Sequence, residues 1–83
     1  MPVLRLKTVA RMQLMALPDH VRDDIEGALL RIQADPQVAG IQLLGRLKGR
    51  WRTRVGGYRI VYRIVQGGRV VIVDAIRLRR DAY

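Results

Sequence analysis

Hydrophobic and polar residues follow two different periods along this chain, helical in the first half and alternating in the second. Over residues 19–34, hydrophobic positions recur at three- and four-residue spacing, and acidic residues lie near the positive N-terminal end, which predicts an amphipathic helix. Residues 8–17 predict a shorter helix that Pro18 ends. A first strand is predicted over residues 3–7. We therefore expect a strand followed by a hairpin of two helices.

After Gly49 the period becomes two, and residues 50–55, 58–65 and 69–76 predict three strands. The pairs Gly56-Gly57 and Gly67-Gly68 separate these strands. Paired glycines adopt the positive φ values of two-residue type I′ turns, so the expected arrangement is an antiparallel meander. The predicted fold class is α+β, with the N-terminal strand and two-helix hairpin packed on an antiparallel sheet, in one domain over residues 1–83.

The turn at Gly56-Gly57 fixes the register of the first two of these strands. Arg54 is expected opposite Arg59, and Arg50 opposite Arg63, so the arginines of both strands share one face. Opposed like charges destabilise a strand pair, which favours a surface that a polyanion or an acidic partner neutralises. The other face should be core. It receives Trp51, Thr53, Val55, Tyr58, Ile60, Tyr62 and Ile64.

Asp74 is the acidic residue predicted on the arginine face. Continuing the meander through Gly67-Gly68 brings it opposite Val61 and near Arg59 and Arg63. We expect it to form an ion pair that orients those arginines, in preference to acting as a catalytic carboxylate.

The net charge is +9, and residues 45–83 carry the whole excess because the charges of residues 1–44 cancel. Fourteen of the sixteen basic residues are arginine, whose planar guanidinium pairs with phosphate in bidentate fashion. Nucleic acid is therefore the expected partner. The chain has no cysteine and no long hydrophobic run, so we expect a cytoplasmic protein without disulfides, without a membrane segment, and without a metal or other cofactor. His20 is expected to be an ordinary surface residue.

The run from Trp51 to Ile64 resembles the signature segment of the RelE/ParE superfamily of toxins from type II toxin–antitoxin systems. Leu17-Pro18 and Asp35-Pro36 resemble the helix hairpin of that family, and residues 79–83 resemble its C-terminal Arg-Arg-acidic-x-Tyr ending. The resemblance covers nearly the whole chain. It implies a β-α-α-β-β-β fold like that of microbial ribonucleases.

Family members of the RelE type cut mRNA in the ribosomal A site without a metal, so the resemblance implies an endoribonuclease that inhibits translation. Arginine stabilises developing charge but is a poor proton acceptor, so the sequence leaves the general base unassigned. The resemblance implies that the terminal tyrosine positions or shuttles a proton. The catalytic residues implied by the matched positions are Arg50, Arg52, Arg59, Arg79 and Tyr83. Further nucleic-acid contacts are expected from Lys48, Arg54, Arg63, Arg77 and Arg80. Family membership also implies an antitoxin with an acidic binding segment, and mRNA and the ribosome as partners.

Two other functions remain open from the sequence. The ParE branch shares the fold but inhibits DNA gyrase. A non-catalytic module could instead bind phosphates with the same arginines.

Recognition by base stacking is disfavoured, because Trp51, Tyr58 and Tyr62 are expected in the core. Met12 and Met15 are likewise expected to be core residues of the first helix.

Overall fold

The computed structural model describes residues 1–78. The bounds of α2 and β4 agree with the predicted ones, and the other predicted elements agree within two residues. The helices are α1 (Thr8–Met15), α2 (Asp19–Ala34) and α3 (Pro36–Ala39). The strands are β1 (Val3–Leu6), β2 (Ile41–Gln42), β3 (Trp51–Val55), β4 (Tyr58–Val65) and β5 (Val70–Leu78).

The strands form one sheet in the order β1-β5-β4-β3-β2. The predicted antiparallel meander is confirmed for β3, β4 and β5. Strand β1, however, pairs with β5 in parallel, so the sheet is mixed. The helix hairpin after β1 provides the long connection that a parallel arrangement needs.

The two glycine turns differ from each other. At Gly67-Gly68 both residues have positive φ, and the amide of Arg69 donates a hydrogen bond to the carbonyl oxygen of Gln66 (3.2 Å), as in the predicted type I′ turn. At the other turn only Gly56 has positive φ (58°), so the predicted type I′ geometry is wrong there. Positive φ at the first central residue alone is the requirement of a type II′ turn, which closes a hairpin with the same register.

A β-bulge interrupts the pairing of β4 with β5. Tyr62 pairs with Val73, but Val61 pairs with Ala75, which leaves Asp74 as an extra residue in β5. The predicted pairing of Asp74 with Val61 is therefore wrong by one residue. Because the bulge shifts the alternation of side chains, Asp74 and Ala75 both lie on the face away from the helices.

The core lies between the helices and one face of the sheet. α1 packs on β5, and α2 reaches β3. Ile60 and Tyr62 are fully buried, as predicted. Met12 and Met15 are 66% and 65% exposed, so their predicted core positions are wrong. Among residues 1–78 no helix is both long and apolar enough to span a membrane.

The α1 helix shows why the methionine prediction failed. Its buried residues are Ala10 and Leu14, four positions apart and so on the same side of the helix. Met12 falls on the opposite side. A helix that is hydrophobic on both sides does not reveal from sequence which side meets the sheet.

The segment between α2 and β3, predicted as a plain connection, contains α3, β2 and a 3₁₀ turn over Gly45–Leu47. It is tied to the core by side chains of the sheet. The hydroxyl of Tyr62 donates to the carbonyl oxygen of Pro36 (2.6 Å), and the hydroxyl of Thr53 donates to that of Ala39 (2.8 Å). Burial raises the pKa of Tyr62, and its hydrogen bond with Thr53 partly offsets this. The ring of Trp51 stacks on Tyr62, with centroids 6.4 Å apart.

Candidate nucleic-acid interface

The face of the sheet away from the helices carries most of the arginines, and we call it the cationic face. The observed register pairs Val55 with Tyr58, Arg54 with Arg59 and Arg52 with Val61, as the turn predicted. Cross-strand partners point to the same side of a sheet. The cationic face therefore contains Arg50, Arg52, Arg54, Arg59, Arg63 and Arg77.

Three of these arginines are in register across three strands. Arg54 of β3 pairs with Arg59 of β4, and Arg59 pairs with Arg77 of β5. We call this set the arginine row. Arg54 and Arg77 are exposed, and Arg59 is half-buried between them. The bulge produces this alignment. Without the extra residue in β5, Arg59 would pair with Ile76 and not with Arg77. In the observed register Ile76 lies in the core and is 3% exposed.

The second cationic group surrounds the carboxylate of Asp74, whose side chain is 10% exposed. Arg63 binds it in bidentate fashion, with Nε 2.8 Å from Oδ2 and Nη2 2.8 Å from Oδ1. The Nε of Arg50 donates to Oδ2 at 3.2 Å. The Nζ of Lys7 lies 3.7 Å from Oδ1. The expected ion pair with Arg63 is thus present.

The electrostatics of this group favour the ionised carboxylate. Burial alone raises the pKa of Asp74, but the hydrogen bonds and charge of Arg63, with Arg50 and Lys7, outweigh burial and hold the pKa below its usual range. In turn, the hydrogen bond to Asp74 raises the pKa of Arg63. Both groups are therefore charged at neutral pH.

Two residues at this site were missed from the sequence. Lys7 follows β1 directly and reaches the cationic face because β1 lies beside β5. The parallel pairing of β1 with β5 was not predicted, so the contact of Lys7 with Asp74 could not be predicted either. Gln13 of α1 accepts a hydrogen bond from the backbone amide of Ile76 at 2.7 Å. A glutamine on the buried side of a predicted helix was the only available signal for this contact.

The remaining predicted residues are distributed as follows. Arg52 is half-buried and, with Arg54 and Thr53, lines a shallow cavity of about 400 Å³ beside residues 38–41. Lys48 is exposed in the loop after the 3₁₀ turn, outside the strands of the cationic face. The structure thus brings most of the predicted arginines together on the strands, whereas Lys48 lies in the loop before β3. Arg79, Arg80 and Tyr83 lie outside the described residues.

No group of three or more metal-ligating side chains occurs within residues 1–78. The chemistry that the described part of the face offers is cationic: guanidinium groups that bind phosphate oxygens and stabilise negative charge.

Known structures share this fold. A RelBE toxin–antitoxin complex from Mycobacterium tuberculosis matches with a TM-score of 0.85 and 26% identity, over 94% of this chain and 98% of that chain. Isolated RelE toxin from E. coli matches with a TM-score of 0.83 and 21% identity, over 99% of this chain and 88% of that one. A YoeB/ParE toxin from Agrobacterium tumefaciens matches with a TM-score of 0.81 and 18% identity, over 92% of this chain and 96% of that one.

Comparison with curated protein sequences finds no significant match. The sequence model of the family described as ParE toxin of type II toxin–antitoxin system, parDE, matches residues 4–83. That match covers nearly the entire length. The chain therefore belongs to the ParE toxin family of type II toxin–antitoxin systems, within the RelE/ParE superfamily.

Proposed function

We propose that this toxin is a metal-independent endoribonuclease that cleaves ribosome-bound mRNA and so inhibits translation. The observation that carries the proposal is the arginine row, in which Arg54, Arg59 and Arg77 stand side by side across three strands. Guanidinium groups in register across three strands offer hydrogen-bond donors to successive phosphates of a nucleic-acid backbone. Binding of that backbone along the row also releases counterions, which favours association.

The reaction is an attack of a ribose 2′-oxygen on the adjacent phosphorus. The P–O5′ bond breaks, the 2′-hydroxyl loses its proton, and the 5′ oxygen takes one up. Arg52 and Arg59 stabilise the charge that develops on the phosphate oxygens. Arg50 contributes from its position beside Asp74. Arg79 is assigned to the leaving group and Tyr83 to positioning or shuttling the proton, both on the resemblance of residues 79–83 to the family's ending.

The partner in the cell is proposed to be a cognate antitoxin with an acidic segment. The RelBE complex from Mycobacterium tuberculosis pairs a toxin of this fold with its antitoxin. An acidic segment complements the charge of +9, and such complementarity speeds association. Binding of the antitoxin to the cationic face would also exclude mRNA.

A second candidate is inhibition of DNA gyrase. The matching family model is the one named for ParE toxins, which favours this activity. The cationic face would then contact the DNA or an acidic surface of the gyrase complex. The two candidates differ in the nucleic acid that is damaged after induction.

The test is induced expression of the wild-type toxin, with mapping of mRNA 5′ ends and with a supercoiling assay of purified gyrase. Cleavage within translated codons is expected, with gyrase unaffected. Arg59→Gln should remove cleavage. The matched control Arg31→Gln changes an exposed arginine on α2, on the other side of the sheet, and should leave cleavage intact. Intact mRNA together with lost supercoiling would establish the gyrase candidate instead.

A further inference from the structure

Arg50 and Arg63 share the carboxylate of Asp74 but use their nitrogen atoms differently. Arg63 commits both Nε and Nη2 to the two carboxylate oxygens. Within residues 1–78, Arg50 donates its Nε alone to this carboxylate. The five N–H groups of a guanidinium form a fixed planar fork, so Asp74 leaves the terminal Nη groups of Arg50 unengaged, and these groups can donate to a phosphate.

The two arginines therefore differ in how they contact Asp74 and hardly in exposure. The side chains of Arg50 and Arg63 are 38% and 32% exposed, around an Asp74 side chain that is 10% exposed. A carboxylate held by a bidentate arginine is a fixed anchor, because rotation of its plane would break two short hydrogen bonds. Arg63 thus fixes Asp74, and Asp74 in turn restricts the long side chain of Arg50.

The bulge in β5 makes this anchor possible. Asp74 is the extra residue at the bulge, and together with Ala75 it occupies the cationic face. Bulges re-aim individual side chains at functional sites. The same bulge brings Arg77 into the arginine row, so one irregularity of the strand shapes both cationic groups.

We propose that Asp74 is a positioning residue of the toxin's active site, which holds Arg50 so that its terminal guanidinium nitrogens meet the scissile phosphate. Arg63 serves as the anchor of Asp74 and makes no productive phosphate contact. This inference rests on the proposed ribonuclease function. A carboxylate on an RNA-binding face repels phosphate, so Asp74 does not favour RNA binding by its own charge. The inference explains its presence there by its effect on Arg50.

That repulsion makes the inference testable, because positioning and simple electrostatics predict opposite effects. Asp74→Asn removes a negative charge, so RNA should bind as tightly as to wild type or more tightly. If Asp74 positions Arg50, however, the rate of cleavage must fall, because small displacements of a charge-stabilising group are costly in the transition state. We expect KM unchanged or lower and kcat reduced about tenfold or more.

The experiment measures kcat and KM for cleavage of ribosome-bound mRNA by the purified full-length toxin. Circular dichroism gives the folded fraction of each variant, and rates are expressed per folded molecule. The control Asp19→Asn removes the same charge from an exposed carboxylate that pairs with Arg22 on α2. It should leave both constants unchanged.

Asp74→Glu is the second variant, for the case in which Asp74→Asn fails to fold. It keeps the charge but moves the carboxylate by one methylene, and kcat should fall at least about threefold with KM unchanged. A kcat within twofold of wild type in a folded Asp74 variant overturns the inference, as does a rise in KM at constant kcat. If wild-type toxin leaves mRNA intact, the proposed function fails and this inference fails with it.

Discussion

Gly40 shows how single-residue geometry holds the edge of the cationic face. A Cβ atom at this position would lie 2.7 Å from the carbonyl oxygen of Arg52 and 3.0 Å from Oγ1 of Thr53, and in contact with the hydroxyl of Tyr62. Two of these groups form the hydrogen bonds that tie α3 to the sheet. The close approach of the chain to β3 therefore requires a glycine.

Gly40→Ala is expected to destabilise the protein by roughly 1–3 kcal/mol, because the added methyl overpacks a site whose neighbours include backbone. In a chain of this size the melting temperature should fall by several degrees. The control Gly27→Ala lies within α2, where the nearest atom to the new methyl is Arg31 Nη1 at 3.8 Å. It should stabilise by about 0.5–1 kcal/mol, because alanine is the better helix former. Equal melting temperatures for the two variants would contradict the packing argument.

Asp74 makes stability depend on pH at the acid end. Its pKa is lowered in the folded protein, so the ionised carboxylate stabilises the fold above its unfolded value of about 3.9. This contribution is lost as the pH falls through the lower folded-state value. At pH 7, Asp74→Asn should reduce the free energy of unfolding by roughly 1–3 kcal/mol, the cost of leaving polar partners unsatisfied.

Urea denaturation of wild type and Asp74→Asn at pH 7 and at pH 3 measures this effect. The difference between the two proteins should shrink at pH 3. Asp19→Asn should show little difference at either pH, since exposed ion pairs contribute only about 0–1 kcal/mol. A difference between wild type and Asp74→Asn that persists unchanged at pH 3 would exclude the carboxylate charge as its source.

Among the elements, β5 determines most of the site. Its first part pairs with both β1 and β4, and its last part continues beyond the end of β1. At Ile76 the edge of β5 therefore faces α1, and the side chain of Gln13 accepts the backbone hydrogen bond. The helix thus completes the hydrogen bonding of the strand segment that precedes Arg77.

Gln13→Met is expected to leave the amide of Ile76 without its acceptor while preserving side-chain volume. The loss should be roughly 1–3 kcal/mol in the free energy of unfolding, together with faster hydrogen exchange at the Ile76 amide. Gln37→Met, at an exposed position of α3, is the control and should change neither quantity. Unaltered exchange at Ile76 in the Gln13 variant would show that the contact is dispensable.

The strands also show how far the sequence could predict this fold. The glycine turn and the alternating pattern of β3 and β4 were enough to predict the register of these strands and the face that carries the arginines. Once the turn is fixed, it determines which residues pair, and the alternation determines the face of each side chain. The bulge at Asp74 was not predictable, since no sequence pattern distinguishes an inserted residue from a paired one. For the same reason the alignment of Arg77 with Arg59 emerged only from the structure. The contact of Lys7 with Asp74 was missed for a different reason, because the parallel pairing of β1 with β5 was not predicted.

Across the whole molecule, charge is separated between the two sides of the sheet. The excess of +9 belongs to residues 45–83, whose strands β3, β4 and β5 carry the arginines of the cationic face, whereas α2 carries acidic residues on the helical side. A surface divided in this way attracts and orients a polyanion before contact. The arginine row should therefore contribute to binding through its position, and an arginine on the helical side should contribute little.

The salt dependence of RNA binding separates these contributions. With a 2′-O-methyl RNA, which cannot be cleaved, the logarithm of affinity should fall linearly with the logarithm of salt concentration, by about 0.7 per phosphate contact. Arg59→Gln removes the central member of the row and should lower this slope by about 0.7 or more. Arg31→Gln changes the net charge equally but lies on α2, so the slope should stay as in wild type. Equal slopes for the two variants would mean that net charge alone drives binding, and the arginine row would then have no specific role in contacting phosphate.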